Sequence, residues 1–287
     1  MHKYTDPDPR LQCTGVYAMK AIIRYPGSKW RITDWIISFF PTHKSYVEPF
    51  FGSGGVLFNK TRSSIETVND IDGDVVNFFE QVKKDPERLA KELYYIPYAR
   101  QIYDRCFEST DDELQKAVNF CIRCQMGYGI RLNGKTGWKR DIQGREKAYA
   151  AKDWTEMPQK IISAAERLRG VQIECRPALE IIESFNSSDV LIYADPPYML
   201  STRTAKQYTH EMTAKDHYQL IECLKASKSL VLISGYSNPI YRDMLRDWHR
   251  EENVSMTQSG KMRKETLWMN FEPPKQRTIF DYLEDAK

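Results

Sequence analysis

The chain has 287 residues, of which 41% are hydrophobic and 28% are charged. That size and composition predict a folded protein with ample material for a core, built as one medium domain with an insertion or as two small domains. The formal net charge is only +3, which excludes a molecule that is a polycation over its whole surface. Since the sequence shows neither a long apolar run nor a secretory signal, we expect a cytoplasmic protein without membrane segments.

The six cysteines are scattered along the chain. Only Cys121 and Cys124 have the spacing of a metal-binding pair, and no second pair accompanies them. They lie in an apolar run that predicts a buried helix, so we expect no metal site.

The fold is predicted to begin near residue 19, because residues 1–18 are polar and irregular and are interpreted as an N-terminal extension. The hydrophobic pattern then predicts a helix, a strand, a second helix and a second strand over residues 32–40, 45–48, 56–60 and 64–68. A glycine-rich turn separates the first strand from the second helix, and the second strand ends at Asn69-Asp70. This is the order of elements in a nucleotide-binding βαβ unit.

The middle of the chain has a different character. Residues 75–126 are amphipathic at helical spacing, and helical character returns over residues 158–169. Between these segments, Asn133-Gly134 predicts the turn of a hairpin over residues 131–139. Eight Lys and Arg residues and only two acidic ones lie between Arg123 and Lys152, a local excess that is typical of a face that binds a polyanion.

Alternation of strands and helices then resumes. Strands are predicted over residues 171–174, 190–194, 230–234 and 265–270, and helices over 178–185 and 217–225. The predicted fold class is therefore α/β. A parallel sheet is expected in two pieces, residues 19–80 and 166–287, interrupted by a helical and hairpin insertion over residues 81–165.

The segment Asp195-Pro196-Pro197-Tyr198 directly follows the apolar run over residues 190–194, which is typical of a buried parallel strand. Ligand sites of open α/β sheets lie at the carboxyl ends of the strands, so this loop is well placed. The prolines stiffen the backbone and leave their carbonyl groups free to accept hydrogen bonds. A carboxylate, a rigid carbonyl and an aromatic ring could together hold a planar base that carries an amino group.

Three further segments could form a ligand site. The glycines of the turn over residues 48–55 let the backbone approach a ligand closely, although the turn lacks the spacing of phosphate-binding and dinucleotide-binding loops. Asp70 lies eighteen residues after Gly52, where an acidic residue suits either a ribose diol or a helix N-cap. Near the amino end, Tyr25-Pro26-Gly27-Ser28-Lys29 predicts a turn.

In this order, these segments resemble the motifs of the D12-class, Dam-like (alpha-group) DNA adenine-N6 methyltransferases. The matching segments are Tyr25 to Lys29, Glu48 to Gly54, Asn69-Asp70-Ile71 and Asp195 to Tyr198. Weaker matches continue through residues 208–212, 234–236 and 265–270, so the resemblance covers nearly everything from Lys20 to Phe271. It implies a Rossmann-like sheet that binds S-adenosylmethionine, with residues 81–165 as the target-recognition domain.

The resemblance also implies an activity and its residues. The enzyme would transfer a methyl group from S-adenosylmethionine to N6 of an adenine flipped out of duplex DNA. Its catalytic residues would be Asp195, Pro196, Pro197 and Tyr198, with the Asp195 carboxylate and the Pro196 carbonyl accepting from the amino group and Tyr198 stacking on the base. The implied cofactor-binding residues are Tyr25, Lys29, Glu48, Phe50, Gly52, Gly54, Asp70, Ile71 and Asp195.

Double-stranded DNA is the expected partner, and the expected location is the cytoplasm, on the nucleoid when DNA is bound. The predicted DNA contacts are Arg123, Arg131, Lys135, Trp138, Lys139, Arg140 and Arg203. The hairpin lacks the Phe-Asn-Val-Pro-Phe-Gly type of sequence found in the GATC-methylating members, so no target sequence is transferred. The sequence leaves open whether a cognate restriction endonuclease exists. It also leaves open whether the mark serves restriction protection, phage self-marking or bacterial gene regulation.

Other functions are compatible with parts of the pattern. Methylation of cytosine N4 or of adenine in RNA is the nearest alternative, but Asp195 favours adenine, and the motif order with the hairpin favours DNA. A non-catalytic DNA-binding protein on the same fold is disfavoured by the intact Asp195–Tyr198 loop and by Lys29. A dinucleotide oxidoreductase is disfavoured because the third glycine of its fingerprint is missing.

Overall fold

Seven strands form one sheet in a computed structural model that describes residues 19, 21–129, 131–132, 134–142, 150–202, 206–256 and 262–274. The strands are β1 Ser45–Glu48, β2 Ile65–Asn69, β3 Val171–Glu174, β4 Val190–Ala194, β5 Leu230–Gly235, β6 His249–Met256 and β7 Met262–Met269. Their order across the sheet is β3-β2-β1-β4-β5-β7-β6. The predicted α/β fold is confirmed, and β1, β3 and β4 have the predicted bounds.

The last two strands differ from the prediction of a parallel sheet. The first five strands pair in parallel, whereas β7 pairs antiparallel with both β5 and β6. Strand β6 was missed because its sequence, His-Arg-Glu-Glu-Asn-Val-Ser-Met, lacks an apolar alternation. An edge strand can be this polar, since charged side chains there discourage pairing with other chains.

Eleven α-helices lie in the part of the chain that the structure describes. They are α1 Thr33–Ile37, α2 Gly55–Asn59, α3 Gly73–Lys84, α4 Pro86–Tyr95, α5 Arg100–Arg105, α6 Glu113–Met126, α7 Ala150–Thr155, α8 Met157–Leu168, α9 Ala178–Ser184, α10 Ala214–Ala226 and α11 Pro239–Met244. Helices α7 and α11 were not predicted. None of these helices combines the length and the apolar character that crossing a bilayer requires.

The predicted helical stretch over residues 75–126 is divided into four helices, α3 to α6. Asp85 ends α3 and caps α4, where its side chain accepts from the backbone N–H of Arg88 and Pro86 occupies the first turn. Asp112 caps α6 in the same way by accepting from Gln115. Two of the three breaks therefore coincide with an aspartate that can satisfy the free N–H groups at a helix start, whereas α5 begins after Ala99 without a side-chain cap.

The apolar core lies on both faces of the sheet. Neighbouring residues of the central strands alternate between two clusters: Tyr46 packs in one cluster, and Val47 packs in the other. This alternation is the period-two pattern of a strand buried on both faces. The first cluster also contains Phe120 of α6, so helices of the predicted insertion share the core of the sheet. The division into domains stays a prediction, and its boundary at residue 80 falls inside α3.

The predicted hairpin is present as a single antiparallel bridge between Gly127 and Trp138, without regular strands. Tyr128 N donates to Gly137 O at 2.6 Å, and Lys139 N donates to Met126 O at 2.7 Å. Leu132 N donates to Gln207 O at 2.9 Å, which ties the hairpin to the segment that precedes α10. Asn133, the first residue of the predicted turn, lies outside the described residues, as do residues 1–18.

Candidate active site

A cleft of about 320 Å³ opens at the carboxyl ends of the parallel strands. It is lined by segments that follow β1, β2 and β4 and by the segment before α10. The sheet order reverses between β1 and β4, since β2 and β3 extend to one side and β5 to the other. Such a switch point is where open α/β sheets bind their ligands. The motifs that the sequence singled out therefore converge on one site.

Most of the predicted cofactor and catalytic residues line this cleft. They are Tyr25, Lys29, Glu48, Phe50, Gly52, Asp70, Ile71, Asp195 and Pro197. Gly54, Pro196 and Tyr198 are not among the lining residues. Gly54 instead caps α2 with φ 68°, and a Cβ there would lie 2.5 Å from the ring of Phe51. Both the positive φ of the turn and the close packing of Phe51 therefore require a glycine at position 54.

Gly52 brings the backbone close to the aromatic wall of the cleft. Its φ is +51°, and a Cβ at this position would lie 2.9 Å from the ring of Tyr25. Its N–H donates to Asp70 Oδ2 at 2.8 Å, and Asp72 N donates to Asp70 Oδ1 at 3.0 Å. Burial raises the pKa of Asp70 to about 6, against these two hydrogen bonds that lower it. The Asp70 carboxylate is thus oriented by two backbone groups at the edge of the cleft.

The Asp195 carboxylate is held by two side chains. Lys29 Nζ donates to Oδ1 at 2.7 Å and to Oδ2 at 2.8 Å, and Ser234 Oγ donates to Oδ1 at 2.8 Å. The Ser234 hydroxyl in turn lies 3.2 Å from the hydroxyl of Tyr193. A carboxylate offers about four acceptor positions. Three are taken by these donors of the described chain, which leaves one position on Oδ2.

Lys29 joins the amino-terminal motif to the loop after β4. Its ammonium is 7% exposed and lies 4.0 Å from Glu265 Oε1 and 4.6 Å from the centre of the Tyr198 ring. Burial lowers the pKa of Lys29, but the carboxylates of Asp195 and Glu265 outweigh that effect and raise the pKa above its usual range. The ammonium is therefore charged and paired.

Tyr198 is 9% exposed, and its hydroxyl donates to Glu265 Oε1. Its ring also lies 4.6 Å from that of Tyr236. Stacking of Tyr198 on an adenine stays a prediction, and it needs a ring face that these neighbours leave accessible.

Glu48 lies deep in the cleft and is 2% exposed. It accepts a hydrogen bond from the Tyr46 hydroxyl at 3.1 Å. Burial raises the pKa of Glu48 to about 8, so this carboxyl group holds a proton at neutral pH. It can then act as a hydrogen-bond donor to a ligand as well as an acceptor.

Sequence reasoning assigned no role to two residues of the site, Ser234 and Glu265. Ser234 lies in β5, one residue before the strand ends, and Glu265 lies in β7. Both are buried polar residues. Ser234 lies in a strand that is otherwise apolar, which is a sequence signal that could have marked it, whereas β7 begins Met-Arg-Lys and carries no such signal for Glu265.

The predicted DNA contacts fall into separate groups. Arg123 pairs with Asp74 at 2.5 Å, and Lys135 pairs with Asp104 at 2.7 Å. Arg131 and Arg140 are exposed and make no ion pair with another described residue. Arg203 lies outside the described residues.

Trp138 and Lys139 lie at the base of the hairpin. The Trp138 ring packs 5.5 Å from the ring of Tyr98 and 4.9 Å from the Arg100 guanidinium. Lys139 is half-buried, and burial together with the nearby charge of Arg24 lowers its pKa. These two residues therefore pack against the rest of the insertion. Among the predicted DNA contacts that the structure describes, Arg131 and Arg140 are the exposed cations of the hairpin that form no ion pair with another described residue.

Within the described ranges, no three His, Cys, Asp or Glu side chains are grouped as a metal ion would require. Cys121 and Cys124 are buried in α6, and burial raises the pKa of both thiols.

Several known proteins are similar to this chain over most of its length. The DNA adenine methylase of Vibrio cholerae is 26% identical over 195 residues, which are 65% of this chain and 68% of that protein. The DNA adenine methylase of Escherichia coli K12 is 23% identical and covers 85% and 92% of the two chains. A type II methyltransferase of Lactococcus lactis is 24% identical and covers 80% and 86%.

One solved structure, a SAM-dependent methyltransferase from Agrobacterium tumefaciens, is matched at 13% identity over 85% of this chain and 61% of its own. Its TM-score of 0.37 is too low to support an assignment. The family model that matches residues 25–258 describes D12 class N6 adenine-specific DNA methyltransferases, and it spans every segment that lines the cleft. The chain belongs to the D12 class of N6 adenine-specific DNA methyltransferases.

Proposed function

We propose that this enzyme, which transfers the methyl group of S-adenosylmethionine to N6 of adenine in DNA, does so in the cleft between the ends of β1 and β4. In this proposal, the Asp195 carboxylate accepts a hydrogen bond from the adenine amino group. One observation carries this proposal: the Asp195 carboxylate is held by Lys29 and Ser234 at the switch point of the sheet, with one acceptor position on Oδ2 that no donor among the described residues occupies.

The residues of the cleft fit S-adenosylmethionine. The oriented Asp70 carboxylate offers acceptors for ribose hydroxyls. Phe50, Ile71 and Leu179 offer an apolar wall for a purine ring, and Gly52 keeps the backbone free of a side chain there. When bound, the cofactor supplies an electrophilic methyl group on a positively charged sulfur.

The protein's own contribution is to position and polarise the amino group. The adenine N6 lone pair is delocalised into the ring, so the amine is a poor nucleophile. An N–H bonded to Asp195 Oδ2, with the second N–H on the Pro196 carbonyl, favours a pyramidal nitrogen whose lone pair is available. Because Lys29 and Ser234 already fix the carboxylate, little reorganisation is needed during the reaction. Asp195 needs little basicity, since the nitrogen becomes acidic as it is methylated.

A direct assay tests the function. Purified protein and isotopically labelled S-adenosylmethionine are incubated with duplex DNA, single-stranded DNA and RNA in competition, and the nucleosides are then identified by mass spectrometry. We expect label in N6-methyladenine from duplex DNA. Label in N4-methylcytosine, or predominantly in RNA, would contradict the proposal.

The Asp70 assignment predicts a pH-dependent cofactor affinity. Asp70→Asn is expected to weaken S-adenosylmethionine binding by about 10- to 100-fold, because hydrogen bonds to a charged group are worth about 1.5–3 kcal/mol. With the pKa of Asp70 at about 6, the wild-type affinity should fall as the pH is lowered through 6. The Asn variant should show no such fall. Calorimetric titrations between pH 5 and 8, with Asp189→Asn as an exposed control, measure both effects.

We infer that duplex DNA binds along the hairpin beside the cleft. Leu132 is hydrogen-bonded to Gln207, and the next residue, Tyr208, lines the cleft, so Arg131 is close to the entrance. Arg131 and Arg140 are exposed cations on this hairpin. They can contact phosphates without first breaking an ion pair to another described residue.

Substitution of both Arg131 and Arg140 by Ala should weaken DNA binding. Because each phosphate contact contributes about 0.9 to the slope of log K against log salt, the slope should become shallower by about 1 to 2. Lys44→Ala is the matched control, since this exposed lysine directly precedes β1 and therefore lies at the amino-terminal end of the strands, opposite the cleft. Unchanged affinity and salt slope in the double variant would contradict a DNA contact by the hairpin.

A cognate restriction endonuclease stays a proposal. The Lactococcus lactis relative is named a type II methyltransferase, whereas the Vibrio cholerae relative is named a DNA adenine methylase. Only the first of these names suggests a restriction-modification system. Location in the cytoplasm, on the nucleoid, is likewise proposed because the substrate is DNA.

A further inference from the structure

Glu265 is a buried carboxylate at the active-site edge of the sheet. Its side chain is only 5% exposed. Glutamate is rarely buried unless another group pairs with it, so its neighbours indicate why it is there. Strand β7 runs antiparallel to β5 and pairs Thr266 with Gly235, so the residues just before Thr266 reach the carboxyl end of β5. Glu265 therefore lies beside the loop after β4, although 69 residues separate it from Pro196 in the sequence.

Two groups of the proposed catalytic machinery contact this carboxylate. The Tyr198 hydroxyl donates to Glu265 Oε1, and Lys29 Nζ lies 4.0 Å from the same oxygen. Burial raises the pKa of Tyr198 well above its usual value, so the hydroxyl keeps its proton and is the donor. Lys29 in turn lies over the Tyr198 ring and donates to both oxygens of Asp195.

We propose that Glu265 is a positioning residue for methyl transfer, which acts by fixing the side chain of Tyr198 against Lys29. This inference rests on the proposed catalytic role of the loop over residues 195–198. Lys29 and Ser234 hold the first residue of that loop, and Glu265 holds the last. The loop is thus held at both ends, and we expect the contacts at both ends to orient the Asp195 carboxylate.

The anchor should act on the rate of methyl transfer more than on binding. Without Glu265, the Tyr198 hydroxyl loses this acceptor, and the side chain is held less firmly against Lys29. Small displacements of a catalytic group cost about 10- to 100-fold in rate. We therefore expect kcat to fall by that factor in Glu265→Ala, with a smaller change in KM for DNA.

A double-mutant cycle tests whether Glu265 acts through Tyr198. Glu265→Ala, Tyr198→Phe and the double variant are compared with the wild-type enzyme in kcat and KM. Each single variant should lose about 10- to 100-fold in kcat, and the double variant should lose no more than the worse single one. Glu265→Gln keeps a hydrogen-bond acceptor and should recover at least about tenfold of the Ala loss.

The controls separate this inference from folding and from the proposed function. Glu222→Ala, at an exposed glutamate on α10, should change kcat by less than about twofold, because surface substitutions are nearly neutral. If Glu265→Ala does not fold, Glu265→Met, which is apolar and of similar size, replaces it in the cycle. Losses that add in the double variant, or a Gln variant as slow as Ala, would overturn the inference. A wild-type enzyme that does not methylate adenine would instead refute the proposed function.

Discussion

An Asp195→Ala enzyme is expected to lose at least about 10²- to 10³-fold in kcat, the effect of removing one preorganised group from a reacting centre. The substitution removes the acceptor for the amino group and leaves the Lys29 ammonium without its main partner. Single-turnover methylation of duplex DNA at saturating cofactor measures the chemical step directly. The loss should therefore appear in the rate constant of that step.

Two further variants sharpen this result. Asp195→Asn preserves the shape of the side chain, but its amide N–H₂ group would face the Lys29 ammonium, so a large loss is again expected. Asp189→Ala is the matched control, since this exposed aspartate directly precedes β4 and lies at the amino-terminal end of the strands, opposite the cleft. An Asp195→Ala enzyme that methylates DNA as fast as the wild type would overturn the assignment of Asp195.

Replacement of Lys29 by Met should have the largest effect on stability. It leaves the Asp195 carboxylate, which lines the cleft, and the buried Glu265 carboxylate without the ammonium that lies near both. Breaking a buried ion pair by removing one partner costs about 3–5 kcal/mol in free energy of unfolding. Urea denaturation monitored by circular dichroism gives this difference, provided that the transition remains two-state.

Lys44→Ala is the control for this measurement. Lys44 also pairs with an aspartate at 2.8 Å, but the two side chains are 74% and 60% exposed. Exposed pairs of this kind contribute little to stability, because water screens both charges. If Lys29→Met destabilised the protein no more than Lys44→Ala does, the Lys29–Asp195 pair would have to be no stronger than a surface pair.

Prediction from sequence succeeded where the local pattern carries the information. Strand β4 is a continuous apolar run that ends at Asp195, and its bounds were predicted correctly. Strand β6 was missed because an edge strand can be polar and then has no pattern to detect. The breaks between α3 and α6 were also missed, although capping aspartates mark two of them. A capping residue resembles any other charged residue of an amphipathic stretch until its hydrogen bond is seen.

In the candidate site, too, some features could be predicted from local patterns and others could not. Tyr25, Lys29, Asp70 and Asp195 were predicted from motifs and meet in one cleft. A DNA contact by Arg123 stays a prediction, and the structure shows its guanidinium paired with Asp74, which lies 49 residues earlier. Basic residues look alike in sequence, and only their neighbours in space distinguish a paired cation from an exposed one.

The sequence by itself determined the fold class, the family and the loop that ends in Tyr198, because buried strands and glycine turns leave local patterns in a fixed order. Only the tertiary structure decided the direction of β7, since the side-chain period of a strand is two whether it pairs parallel or antiparallel. That direction brings Glu265 to the carboxyl end of β5, beside Tyr198 and Lys29. The contacts that hold the catalytic loop thus depend on pairing between distant segments, which no local pattern specifies.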